Sequence, residues 1–276
     1  MSDTASAFVP GHVTGFFSTH REKTPTETGS RGAGVVLSDG VRVAVEPAAG
    51  TRLTVDGETV AVEAVDRVLD ALDVDARVTA ETDLPLGAGF GVSGGLALGT
   101  ALAANRAFDR LLTENELVTV AHGAEVQAGT GLGDVVAQAR GGVPIRLEPG
   151  APAHNELDGI PAGGRIEYRA TGELDTGEII GGDTDRLTAA GRAALSSLVE
   201  EPTVERFMRA SRRFARGADL LTPAVRGVIE DVSAAGGEAA MAMLGETVFA
   251  LGTGLSDAGY DPAVCRVHRA GATVRE

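Results

Sequence analysis

Leu84-Pro85-Leu86-Gly87-Ala88-Gly89-Phe90-Gly91-Val92-Ser93-Gly94-Gly95-Leu96-Ala97-Leu98-Gly99 is the stretch on which the reading of this 276-residue chain turns. Before it, Ala76–Thr82 alternates like a strand; after it, Ala97, Ala101, Ala104 and Phe108 form a stripe at helical spacing. A glycine-rich loop between strand and helix lets backbone N–H groups turn inward with no Cβ in the way. The helix N-terminus that follows adds partial positive charge, and together they make a cradle for phosphate oxygens. Glycines also permit tight packing, and that plainer role stands beside the functional one.

Three short motifs overlap within this run. Gly89-Phe90-Gly91-Val92-Ser93-Gly94 fits G-x-G-x-x-G, the dinucleotide fingerprint. That reading wants an early βαβ unit and an acidic residue about 20 residues on, at the end of a second strand. Asp109 instead sits at the end of a helix, and hairpins precede the loop. Gly91-Val92-Ser93-Gly94-Gly95 fits G-x-S-x-G, the hydrolase elbow, and Asp134 and His268 follow in matching chain order. The elbow needs a tight strand-to-helix turn, whereas Pro85 and a long loop separate the strand from Ser93. A serine hydrolase using Ser93 is therefore the second choice. A Walker phosphate loop requires a lysine after its last glycine, and Lys23, the single lysine, is nowhere near.

Pro85–Gly95 resembles the central phosphate-binding motif of the GHMP kinases, the superfamily of galactokinase, homoserine kinase and mevalonate kinase. Gly129-Thr130-Gly131-Leu132-Gly133-Asp134-Val135, followed by Gly141-Gly142, resembles that superfamily's catalytic-aspartate segment. Pro10-Gly11-His12-Val13-Thr14-Gly15 resembles its N-terminal motif, and the three span most of residues 8–147. The resemblance implies ATP as donor, bound at Pro85, Gly87, Gly89, Gly91, Val92, Ser93, Gly94 and Gly95. It implies Mg2+ ligands at Ser93 and Glu125, and a catalytic carboxylate at Asp134. Phosphoryl transfer needs positioning, charge neutralisation and a group that orients the attacking hydroxyl. Magnesium on a triphosphate takes one or two protein carboxylates plus other oxygens. A carboxylate with a pKa near 4 is a weak base, so orientation by Asp134 matters more than abstraction. Taken alone, Glu125 would read as a solvated helix carboxylate, and His122, one turn before it, as a structural histidine.

Two departures narrow the family. Many members carry a lysine in the first motif where this chain has His12, and the third glycine-rich motif is reduced to Met243-Leu244-Gly245-Glu246-Thr247. With these, Val9–Ser18 and Gly89–Gly95 are most similar to the archaeal pantoate kinases. That resemblance implies pantoate as a small-molecule acceptor, phosphorylated at its terminal hydroxyl on the archaeal route to coenzyme A. It places acceptor contacts at Ser18, His122 and Arg146. An arginine suits a small hydroxy acid because its planar fork holds a carboxylate in a bidentate pair. A kinase of the homoserine, shikimate or mevalonate type is the alternative within the superfamily. A regulator that keeps the cradle but has lost catalysis is the non-enzyme alternative.

Working outward, hairpins are expected at Gly34–Leu37/Val41–Val45, around Ser38-Asp39-Gly40, and at Thr51–Val55/Thr59–Val62, around Asp56-Gly57. Thr113 and Glu116 form a capping box for a helix to about Ala128. Gly142–Leu147 and Arg165–Arg169 read as strands, and helical patterns fall near 185–200, 204–215 and 222–234. Pro, Gly and Ala accumulate between Glu148 and Gly164, which places a domain boundary there. Antiparallel hairpins with clustered helices predict an α+β fold. The resemblance specifies a GHMP kinase fold, with an N-terminal ribosomal-S5-domain-2-like α/β domain over 1–158 and a C-terminal ferredoxin-like domain over 159–276.

Composition excludes several classes. A formal charge of −15 argues against a nucleic-acid binder and against anionic membrane surfaces. Lys23 is the single lysine among 24 basic residues, and acidic excess with lysine depletion suggests a proteome adapted to high salt. There, surface fields are screened within about 3 Å at 1 M. With 43% hydrophobic and 23% charged residues the chain can bury a full core. The N-terminus shows no basic segment followed by an apolar run, and no stretch reaches the length of a membrane span, so a cytoplasmic protein is expected. Cys265 is the single cysteine, which rules out an internal disulfide. A homodimer is the assembly considered.

Overall fold

The computed structural model describes residues 4–172, 182 and 184–275. Two long strands organise it: β1 (Ala5–His20) and β2 (Gly29–Pro47), paired antiparallel along nearly their full length. Residues 34–37 and 41–45 do not form the expected hairpin with each other. Both belong to β2, and the register steps from Pro10↔Gly40 to His12↔Val36, so Ser38-Asp39-Gly40 forms a bulge rather than a reversal. Turn residues signal a local break in the ladder, and a long partner strand buried on both faces carries the pairing across it.

Strands β3 (Arg52–Val55), β4 (Glu58–Thr59) and β5 (Ala76–Thr82) extend the sheet beyond β2. Strands β6 (Val143–Glu148) and β7 (Glu156–Ile160) branch from β2, and β12 (Thr273–Arg275) returns from the chain's end to pair with β1. Thus β7 runs across the 158/159 division, inside the first sheet, and β12 lies in that sheet too.

Helices α1 (Glu63–Leu72), α2 (Val92–Ala107) and α3 (Glu114–Ala128) pack together, with α2 against β1 and β2. The capping box on α3 is present: the Thr113 hydroxyl accepts from the Glu116 amide, and the Glu116 carboxylate accepts from the Thr113 amide. A short helix, α4 (Asp134–Arg140), follows, in the segment whose sequence resembles the catalytic-aspartate segment.

The second sheet is antiparallel throughout. Its strands β8 (Arg165–Gly172), β9 (Ala239–Ala242), β10 (Glu246–Leu251) and β11 (Ala263–Arg266) lie in the order β11-β8-β10-β9. This is the 4-1-3-2 order of a ferredoxin-like sheet, with helices α5 (Asp185–Glu200), α6 (Val204–Gly217) and α7 (Pro223–Ala234) between its first two strands. The architecture is α+β, as the sequence predicts. No helix among the described residues is long and apolar enough to cross a membrane.

Phe90, in the glycine loop, is buried with its ring 4.8 Å from that of Tyr168 on β8. The Met243 amide at the tip of the β9–β10 hairpin donates to the Thr14 carbonyl at 2.9 Å. The second sheet therefore braces both the glycine loop and β1.

Candidate active site

Helix α2 starts at Val92, and its N-cap is Gly91, held left-handed at φ 65°, where an L side chain is strained. No side chain caps the first-turn amides. Orphan donors at a helix start suit an anionic phosphate chain. Val92, Ser93 and Gly94 of that turn, with Gly87, Gly89 and Gly91 before it, line a cleft of ≈ 310 Å³. The Gln138 side chain on α4 donates to the Gly91 carbonyl at 3.0 Å and fixes the loop from behind.

Three carboxylate residues line this cleft: Glu63, which pairs with Arg67, and Glu125 and Asp134. Glu125, 2% exposed, projects from α3 and accepts from the Ser93 hydroxyl at 2.5 Å and the Thr130 hydroxyl at 2.8 Å. Burial pushes its carboxyl up to about 7, against the opposing pull of the two hydroxyls. Together Ser93 and Glu125 form an all-oxygen donor set of the kind magnesium takes, with room for phosphate oxygens to complete the shell. No group of three or more His, Cys, Asp or Glu among the described residues could hold a metal ion by itself.

Asp134, the first residue of α4, accepts from His12 Nδ1 at 2.7 Å. His12 is fully buried on β1, and its Nε2 has no hydrogen-bond partner. Burial lowers the imidazole's pKa despite the neighbouring carboxylate, so His12 is a neutral Nδ1–H donor. Burial alone would raise Asp134, but the hydrogen bond from His12 and the charge of Arg146 outweigh it and hold the carboxyl low. Asp134 is ionised and aimed. Sequence reasoning treated His12 only as a missing lysine; its position in the first motif was the available signal.

Arg146 lies on β6 beside Gly32, 2% exposed, with no hydrogen-bond partner for Nε or Nη1. It lines a recess of ≈ 20 Å³ with Ser30, Leu132 and Gly133. Thr14, Asp134 and Leu244 line both the cleft and this recess, so Asp134 stands where they meet. A buried cation with unpaired donors calls for an anion.

Other named positions fall elsewhere. Pro85 is exposed and Gly95 buried, and neither lines the cleft; Gly95 packs on Val41 of β2, the plainer role for a glycine. The Ser18 hydroxyl bonds His20 Nε2 at 2.9 Å, and His122 Nε2 donates to the Thr28 carbonyl at 2.8 Å. Neither Ser18 nor His122 lines the cleft or the recess. The hydrolase triad is not assembled: Ser93 donates to Glu125, Asp134 pairs with His12, and His268 packs edge-on against Phe8.

Comparison with known proteins agrees with this geometry. Residues 59–142 match the model of the GHMP kinases N terminal domain, a span that takes in the glycine loop, Glu125 and Asp134. The chain belongs to the GHMP kinases. Along most of its length it is similar to a pantoate kinase of Methanocaldococcus jannaschii, with 34% identity over 251 residues, 88% of this chain and 91% of the relative. A pantoate kinase of Thermococcus kodakarensis is 34% identical over 261 residues, 89% of this chain and 86% of the relative. A solved structure described as a phosphotransferase related to the CoA biosynthesis pathway superposes with a TM-score of 0.87 at 31% identity, covering 99% of this chain and 98% of the other.

Proposed function

We propose that this chain is an ATP-dependent pantoate kinase, which transfers the γ-phosphoryl group to the terminal hydroxyl of pantoate and gives 4-phosphopantoate for coenzyme A synthesis. The carrying observation is the position of Asp134, ionised and oriented by His12, between a glycine-lined cleft and a recess holding an unpaired buried arginine. Pantoate kinases that resemble this chain over most of its length support the same acceptor.

In this reading the amides of Gly91–Gly94 bind the phosphate chain. Ser93 and Glu125 would hold Mg2+, which would supply charge neutralisation on the phosphates. Arg146 grips the pantoate carboxylate through its free donors and turns the distal hydroxyl toward Asp134. Asp134 accepts the hydroxyl's hydrogen bond, and its proton as the acceptor oxygen bonds to the γ-phosphorus; the bond to the bridging oxygen breaks and ADP leaves with the electron pair. Ser18 and His122 support the acceptor side through His20 and the Thr28 turn rather than by direct contact. We assign residues 1–158 and 159–276 to the two family domains, with β12 a return strand. The acidic, lysine-poor composition fits a salt-rich cytoplasm.

The test is an acceptor panel of pantoate, homoserine, mevalonate and shikimate with ATP and Mg2+ in high salt. Pantoate is phosphorylated in preference to the rest; preference for another member ends the substrate assignment.

A further inference from the structure

Leu244 is the one described non-glycine residue other than aspartate with a positive φ, at 67°; the others are Asp56, Asp73, Asp109 and Asp219. Aspartate tolerates the left-handed region because its short polar side chain bonds locally, whereas a leucine there is strained and held by its surroundings. The surroundings are visible. On one side the Met243 amide bonds the Thr14 carbonyl of β1. On the other, the Thr247 hydroxyl donates to the Ala88 carbonyl at 2.9 Å, and Gly245 lies so close that a Cβ there would come 2.0 Å from the same oxygen. The hairpin tip is thus clamped between β1 and the glycine loop, and the clamp presents Leu244 to the junction of cleft and recess that it shares with Asp134 and Thr14.

We propose that Leu244 is a specificity-determining residue, whose isobutyl group packs on the methyl-bearing carbon next to the acceptor's reacting hydroxymethyl group. This rests on the pantoate reading. In pantoate, the carbon that bears the reacting hydroxymethyl group also carries two methyl groups. With the carboxylate on Arg146 and the hydroxyl on Asp134, an apolar side chain at the junction is the surface those methyls would meet. Contacts of this size change kcat/KM by roughly tenfold or more. The strain at Leu244 is consistent with a side chain placed for the substrate rather than for the hairpin.

The experiment compares pantoate with 2,4-dihydroxybutyrate, which keeps the carboxylate and both hydroxyls but lacks the methyls, for wild type, Leu244→Gly and Leu244→Asn. Glycine suits the left-handed backbone, and asparagine tolerates it while presenting a polar surface. Wild type is expected to favour pantoate in kcat/KM by roughly tenfold or more. In both variants that ratio is expected to fall at least threefold, while the melting temperature stays close to wild type. A wild type that phosphorylates neither acid overturns the pantoate reading itself. A wild type that prefers pantoate, with variants that keep the same ratio, overturns the role of Leu244 alone. So does a wild type that uses both acids equally well.

Discussion

Glu125 and Asp134 face the same cleft from neighbouring helices, yet their surroundings differ in kind. Glu125 is ringed by the neutral hydroxyls of Ser93 and Thr130, and burial leaves its carboxyl near neutrality, at about 7. Asp134 meets a histidine N–H and the charge of a buried arginine, and its carboxyl is held low. The difference teaches how one fold divides labour between two carboxylates. One waits for a positive charge to ionise it fully, as a cation ligand does; the other is already ionised before substrate arrives. Their partners, rather than their residue type, decide which is which.

The largest expected effect tests the aimed carboxylate. Asp134→Asn should lower kcat by about a thousandfold, within the usual range for a positioned acid or base. Nucleotide affinity, measured by titration calorimetry, should hardly change. Wild-type turnover in that variant would remove Asp134 from the chemistry.

The next effect tests the other carboxylate, in metal-free buffer without nucleotide. Between its ordinary pKa and about 7 the native protein keeps a proton on Glu125 that the unfolded chain has released. By linkage, this part of the stability is present at acid pH and is lost as pH rises through that window. At 1.36 kcal/mol for each pKa unit, the loss is roughly 3 kcal/mol. Glu125→Gln, which can still accept from Ser93 and Thr130, should lack that decline. Melting temperatures across the window for both proteins decide it, and parallel curves would mean that burial does not raise Glu125. A smaller effect separates donor from acceptor: Arg146→Ala should raise the KM for pantoate by about 10- to 100-fold, the worth of hydrogen bonds between charged groups. An unchanged acceptor KM, or an equal rise in the KM for ATP, rejects the carboxylate contact.

How much of this was legible depended on the range over which each signal acts. The glycine run, the Thr113–Glu116 box and Ala76–Thr82 are local patterns, and the structure has a loop, a capped helix and a strand there. The β1–β2 pairing was misread because its evidence is long-range: Ser38-Asp39-Gly40 looks like a turn until a 16-residue partner strand carries the ladder past it. Strands β7 and β12 were missed for the same reason, since strands of five and three residues have little period to detect and exist through their pairing with β6 and β1. Gly95 and Gly91 are alike in sequence, but one packs on Val41 and the other starts a helix at the cleft. The bond from His12 to Asp134 joins residues 122 apart in the chain. Only the folded sheet brings them together.

That bond carries the smallest effect and the sharpest test of the contrast between the carboxylates. Removing it in His12→Ala leaves burial, which raises the Asp134 carboxyl, opposed mainly by Arg146. The carboxyl then titrates at higher pH. The acid limb of the kcat profile should move upward, and kcat at neutral pH should fall by about tenfold for the loss of one hydrogen bond to a charged group. A buried alanine also leaves a cavity, so a fall in kcat alone would be ambiguous. His12→Asn separates the two causes, because its amide N–H can occupy the place of Nδ1 while its volume is smaller than the imidazole's. If orientation and a hydrogen bond are what His12 supplies, asparagine returns the acid limb toward its wild-type position even where stability is not restored. An acid limb that stays at the wild-type pH in the alanine variant would mean that Arg146 alone keeps Asp134 ionised, and that the histidine serves packing.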